Sequence, residues 1–205
     1  ELRTSHEYVG GGDAPGRKPH GVGRLGVDLE SLPAGAGLRI ARIYGADRWN
    51  PARSSPLLLS GMRAKEGDYL LAIDGVHVSS VEETHRLLAG KSEESVVLSV
   101  SSKPDGSDRR DLYIKTMKSD DEARYDQWVA DKRNYVDLKT DGRVGYIHIP
   151  DMDTAGIIEF GKQFFPQSDK EGLIVDVRNN AGGYAHSMLL ERLYRKLWSF
   201  ANARY

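Results

Sequence analysis

The sequence has no cysteine among its 205 residues. That absence excludes a disulfide framework, a thiolate nucleophile and a cysteine-ligated zinc site. Long hydrophobic runs are missing too. The longest, Tyr69 to Ile73, and shorter ones such as Leu57 to Leu59 and Leu173 to Val175, fall far short of the roughly 20 apolar residues a membrane-spanning helix needs. Neither sign of charge prevails, with 29 Lys and Arg against 30 Asp and Glu, so no broad nucleic-acid or anionic-membrane footprint is expected. What is present is apolar content of 39%, enough for one large core or two small ones. The start, Glu1 to His6, carries no initiator methionine, basic segment or apolar signal region, and the chain is read as an interior stretch of a longer polypeptide.

Two kinds of pattern divide the chain. Residues 9–23 hold six glycines and two prolines, a composition that defeats regular structure and reads as a connection. From there to residue 117 the signals are mostly those of strands: period-two alternation over Leu25–Glu30 and Leu38–Ile43, then apolar runs at Tyr69–Ile73 and Ser95–Val100, and Asp111–Ile114. Asp74-Gly75 and Asp105-Gly106 supply hairpin turns, because both residue types tolerate positive φ. Ser79 or Ser80 caps a short helix through Leu88, with acidic residues in its first turn and Gly90 past its end.

Beyond residue 118 the rhythm changes. Residues 119–133 are highly charged, with only a narrow apolar stripe of Ala123, Trp128, Val129 and Tyr125, and read as a bridging helix. A strand over Val144–Ile149, a helix over 153–165, a nearly continuous apolar strand over Gly172–Val177 and a helix from about 184 to 199 follow. This β-α-β-α order predicts a parallel sheet covered by helices, since parallel neighbours need a long crossover. The fold class is α+β: a β-rich domain followed by part of an α/β core.

Several residues invite chemistry. In an extended Thr4-Ser5-His6, Ser5 and His6 point to opposite sides, so His6 is poorly placed to activate its neighbour; a solvent-exposed terminal dipeptide is the plainer reading. Residues 176–184 pass from a strand through Asn179-Asn180-Ala181-Gly182-Gly183 into a helix, an arrangement that exposes backbone N–H groups and can bind an oxyanion. The plainer reading there is a cap whose glycines permit the turn. Asp151-Met152-Asp153-Thr154 is similar to the aspartyl nucleophile motif of haloacid-dehalogenase-type phosphatases, but Pro150 precedes it and Asp153 serves equally as a helix N-cap, the preferred role. His6-Glu7 opens like a zinc-protease motif, yet Gly10 stands where the second histidine belongs. His186-Ser187 reads as helix surface, and His20, His77, His85 and His148 share no ligand spacing. No cofactor or metal is called for.

Gly23-Arg24-Leu25-Gly26-Val27, Gly61-Met62 and Lys65-Glu66-Gly67-Asp68-Tyr69-Leu70-Leu71-Ala72-Ile73-Asp74-Gly75 together resemble a PDZ domain of the bacterial protease-associated kind. Arg143 to Pro150 and Val175-Asp176-Val177-Arg178-Asn179-Asn180-Ala181-Gly182-Gly183 resemble the core of tricorn protease and the C-terminal processing peptidases. Thr4-Ser5-His6-Glu7 and the long Tyr44–Pro51 insertion favour the tricorn branch. The resemblance implies three segments: residues 1–20 as the end of a Ser-His subdomain and linker, 21–117 as a PDZ domain, and 118–205 as a bridging helix and the first half of a peptidase core. It further implies a serine peptidase acting by acyl transfer, in which His6 is the general base and Ser5 a hydroxyl that orients it. The nucleophilic serine and an orienting glutamate are then expected beyond Tyr205, leaving this stretch inert alone. The Gly182-Gly183 region would supply one oxyanion-hole amide, and the resemblance does not say which glycine donates. Ala181 departs from the Asn-Gly-Gly-Gly form of tricorn relatives, but processing peptidases carry proline there. Gly23, Arg24, Leu25 and Gly26 form the loop expected to hold a peptide's terminal carboxylate. Peptides, recognised through free C-termini, are the expected partners, and a homo-oligomer is expected by analogy. A non-catalytic peptide-binding module is the alternative. The expected compartment is the cytoplasm, with the periplasm second.

Overall fold

The computed structural model describes residues 21–32, 37–45, 50–59, 61–62 and 64–194. Ser5, His6, the glycine-rich connection up to residue 20, the middle of the 44–51 insertion and the residues after 194, including the end of the helix expected up to 199, lie outside them. The chain divides into two compact units, Glu1–Arg124 and Tyr125–Tyr205.

The first unit is built on antiparallel strands β1 (Val27–Ser31), β2 (Leu38–Ile43), β3 (Tyr69–Ile73), β4 (Val76–His77), β5 (Ser95–Ser101) and β6 (Arg110–Lys115), in the order β1-β2-β3-β5-β6 with β4 on β3. The predicted strands all form, within two residues of their expected ends, because alternating apolar residues must share one buried face. Leu38, Ile40, Leu70, Ile73, Leu98 and Val100 meet in that core. Asp74, with φ of 47°, and Gly75, with φ of 79°, make the β3–β4 turn. Helix α1 (Val81–Leu87) starts where expected: Ser80 Oγ accepts from Glu83 N–H, and Ser79 instead donates to the Glu83 carboxylate at 2.8 Å. One charged pair is built in beside the core, where Arg110 meets Asp68, a carboxylate that is 3% exposed and also accepts from Lys65 N–H at 2.8 Å.

Helix α2 (Asp121–Lys139) runs longer than the predicted 119–133 and carries almost no sided apolar pattern. The second unit adds parallel strands β7 (Val144–His148) and β8 (Gly172–Asp176), helix α3 (Thr154–Phe164) between them, and α4 (His186–Tyr194) after β8. Ile147, Ile149, Phe160 and Leu189 form its core. The parallel pairing follows from the α3 crossover, as the β-α-β order predicted.

β7 has neighbours on both edges, although among the described residues only one is a strand. Its Tyr146 and His148 turn away from β8 towards two glutamines. Gln167 accepts from Tyr146 N–H at 3.0 Å and donates to Tyr146 O at 3.1 Å, while Gln163 accepts from His148 N–H at 3.0 Å and donates to His148 O at 3.3 Å. Four residues apart, one near the end of α3 and the other in the 3-10 turn Phe165–Gln167 that follows it, these amides reproduce the donor-acceptor alternation of a strand. They seal an edge that would otherwise present unpaired backbone.

Candidate functional site

The turn after β8 is assembled from side chains that fix its backbone step by step. The Asp176 carboxylate accepts from the Tyr146 hydroxyl at 2.6 Å and from Arg178 through its backbone N–H and Nε, each at 3.0 Å. The Arg178 hydrogen bond, with the Tyr146 hydroxyl, holds the Asp176 carboxyl well below the usual carboxylate range against the effect of burial. Burial and the bond to Asp176 push the Tyr146 phenol up to about 12. Asn179 follows in the left-handed region, with φ of 58°, a conformation asparagine tolerates. Asn180 then clamps the loop from both sides: its Nδ2 donates to Ile149 O at 2.9 Å and its Oδ1 accepts from Gly182 N–H at 2.8 Å.

The two glycines are there for different reasons. Gly182, φ 86°, has open space where a Cβ would stand, so only its backbone angle calls for glycine. Gly183, φ 132°, passes so close to the α3 approach that a Cβ would lie 2.2 Å from Met152 O. Backbone bonds lock the crossing: Met152 N–H to Gly182 O at 2.7 Å, Ala185 N–H to Met152 O at 2.7 Å, and Ala181 N–H to Pro150 O at 3.0 Å. The amides of Ala181, Gly182 and Ala185 are therefore engaged. Gly183 N–H has no hydrogen-bonded acceptor among the described residues, and it stands three residues before α4, where helix-terminal amides add positive potential. Of the two glycines, Gly183 keeps a free donor.

Sequence reasoning gave His148 no role, yet it supports this turn from beneath. It is 3% exposed, with Nε2 2.9 Å from Arg178 O and Nδ1 2.9 Å from the Tyr125 hydroxyl. A carbonyl only accepts, so in the neutral ring Nε2 carries the proton and Nδ1 accepts from Tyr125. Trp128 packs edge-on against the imidazole at 4.8 Å, and the Arg178 guanidinium lies 5.6 Å from the Trp128 ring. No local signal could have revealed this, because the partners of His148 come from α2 and from the turn after β8.

Asp151 and Asp153 are caps. Asp151 Oδ1 accepts from the N–H groups of Asp153 and Gly156 at 2.9 and 2.7 Å, and Asp153 Oδ1 accepts from Thr154 N–H at 3.0 Å. His186 and Ser187 are exposed at the start of α4, as expected of helix surface.

In the first unit the Gly23–Gly26 segment lies just before β1. Gly23 N–H donates to Leu88 O at 2.8 Å, and Arg24 pairs reciprocally with Met117 at 2.9 and 2.8 Å. Those two amides are thus engaged, while the amides of Leu25 and Gly26 have no hydrogen-bonded acceptor among the described residues. Gly26 bends the chain with φ of 65°, and Ser55 braces the bend by donating Oγ–H to Leu25 O at 2.6 Å. β1 is an end strand with α1 beside it. A sheet-end strand next to a loop with unbonded amides is the geometry by which sheets capture extended peptides and their terminal carboxylates.

These features define a PDZ-type domain joined to a strand–turn–helix with an available backbone donor. Comparison with known proteins gives the particular kind. Residues 23–119 match the family described as tricorn protease PDZ domain, and residues 143–196 match peptidase family S41. The chain is 36% identical over 204 residues to the tricorn protease of Thermoplasma volcanium, covering 100% of this chain and 19% of that protein. It is also 36% identical over 199 residues to tricorn protease homolog 1 of Streptomyces coelicolor, covering 96% and 18%. The crystal structure of the tricorn protease superposes with a TM-score of 0.81 at 34% identity, covering 90% of this chain and 18% of that one. The chain is tricorn-like, with a PDZ domain of the tricorn type followed by sequence of peptidase family S41. It spans about a fifth of the length of the curated relatives it matches.

Proposed function

We propose that the chain is part of a serine peptidase that hydrolyses peptides by acyl transfer. The observation that carries this reading is the Gly183 N–H, which has no acceptor among the described residues and is set by Asn180, Met152 and the start of α4 in a turn that matches family S41. In an acyl-transfer mechanism such a donor stabilises the oxyanion that develops on the attacked carbonyl, and loss of one such donor typically slows catalysis about 10²–10³-fold. His6 is the proposed general base, oriented by Ser5, and a serine beyond Tyr205 the proposed nucleophile. The β1 edge and the Leu25 and Gly26 amides are proposed to engage peptides through a free C-terminus. The 1–20, 21–117 and 118–205 segmentation is part of the same reading.

The test is intact-mass analysis after treatment with a fluorophosphonate, which labels an activated serine. It is run on this chain and on the polypeptide extended past Tyr205. Labelling of the longer polypeptide alone, lost on His6→Ala, is the expected result. Labelling of the 205-residue chain itself would overturn the assignment, with Ser5 and Ser187 the first residues to examine. Absence of label from both would favour a peptide-binding role without catalysis.

A further inference from the structure

Resting on the peptide-binding reading above, we infer that Arg124 is a built-in competitor for the β1 edge, so that a peptide engages the first unit only by displacing it. The register shows which groups are at stake. Val27 pairs with Ile43 while Tyr44 N–H donates to Gly26 O, which makes Val27–Ile43 a non-hydrogen-bonded pair and turns the Val27 N–H and C=O off the sheet. Past the bulge between Asp28 and Leu29, Leu29 faces Ile40, whose N–H and C=O are committed to Asp68 and Gly67 on the other side. Leu29 therefore also points its backbone outward. Val27 and Leu29 are the two rungs that an added strand would use.

The first rung is taken. Arg124, in the first turn of α2, donates Nη2–H to Val27 O at 3.1 Å. The same guanidinium is held in place by three further contacts: Nη1 to Asp28 Oδ1 at 2.7 Å, Nε to Asp120 Oδ2 at 2.8 Å, and the Tyr44 ring 4.4 Å from its central carbon. Tyr44 in turn donates its hydroxyl to Asp28 Oδ2 at 2.6 Å, so one carboxylate ties ring and guanidinium together. The planar fork of arginine satisfies these partners at once, which a lysine ammonium cannot do.

Consider a peptide whose carboxylate meets the Leu25 and Gly26 amides and whose chain runs antiparallel along β1. The N–H of its last residue is the donor that reaches Val27 O. It meets Arg124 there. Competition at this rung weakens binding without abolishing it, because once Arg124 is displaced the peptide is also held by Leu29 and the loop amides, which have no other backbone partner among the described residues. It lowers the population of the competent edge, and apparent affinity falls in proportion to that population.

The test measures fluorescence anisotropy of labelled heptapeptides ending in Leu, Val or Phe with a free carboxylate, against their amidated forms. Arg124→Ala and Arg124→Lys are expected to tighten binding of the free-carboxylate peptides about tenfold, as a charge-assisted bond of modest net strength implies. Asp120→Asn, which loosens one anchor without touching the edge, should tighten it less, and it serves as the second variant if the first unfolds. In the unaltered chain, the Arg124 Nε–H NMR signal should move towards that of a free arginine as peptide is added. Binding that is equal or weaker in all three variants, or saturation without movement of that signal, overturns the inference and leaves the peptide-binding reading intact. No binding by either the unaltered chain or the variants overturns the peptide-binding reading, and this inference with it.

Discussion

Replacing Gln163 by leucine tests whether side chains really stand in for a strand beside β7. The glutamine amide serves His148 N–H and C=O and also donates to a Glu159 oxygen at 2.9 Å. Gln163 and His148 are each 3% exposed, so no water replaces it. Leucine conserves the volume but neither donates nor accepts. Leaving the buried His148 backbone groups unpaired costs about 1–3 kcal/mol each at most, and the extra apolar burial offsets about 1 kcal/mol. The expected net loss is about 2 kcal/mol in denaturant unfolding of the second unit. Hydrogen exchange gives the local readout. The His148 amide should exchange about 30-fold faster, the equivalent of about 2 kcal/mol, while the Ile147 amide, bonded towards β8, keeps its protection. A loss under about 0.5 kcal/mol with unchanged exchange at His148 would refute the argument. Gln167→Leu should transfer the effect to Tyr146.

Glycine substitutions in the turn should separate packing from backbone conformation. Gly183→Ala drives a Cβ to 2.2 Å from Met152 O and is expected to cost over 3 kcal/mol, whereas Gly182→Ala meets only the φ penalty of about 1–2 kcal/mol; thermal unfolding of the two variants checks the order. The Arg178-held Asp176 has a depressed folded-state pKa, so its stabilising contribution is complete above the ordinary value of 3.8 and is lost as pH falls through the folded value. Acid unfolding followed by circular dichroism should lack that component in Asp176→Asn. Tyr146 is shifted the other way: its contribution is complete below 10.0 and is lost as pH rises towards about 12, so Tyr146→Phe should flatten the alkaline limb. Ser80→Ala, which removes the α1 cap, should cost about 1 kcal/mol in unfolding of the first unit.

Period-two alternation by itself determined where β2 lies, apolar runs did the same for β3 and β5, and the β-α-β order made β7 and β8 parallel, because each depends on neighbours within one element or one crossover. Ser80 and Asp153 were legible as caps for the same reason, since a cap bonds within its own turn. The Asn-Asn-Ala-Gly-Gly turn was legible as a candidate donor site from its residue types. Ser5 and His6 rest on the sequence reading alone.

What only the tertiary structure decided are the contacts between residues far apart in the chain. Which glycine keeps a free N–H depends on Asn180 reaching Gly182. His148 gains its place from Tyr125 and Arg178, 23 residues before and 30 after it, and Arg124 finds Val27 across 97 residues. Gln163 and Gln167 look like ordinary surface polar residues in the sequence, and they become a strand edge only once α3 and the turn after it fold back on β7. Local pattern fixes what a segment can form, because periodicity and capping act over a few residues. Which polar groups end up paired, blocked or free is settled by packing, because each buried donor and acceptor must find its partner wherever the fold brings one.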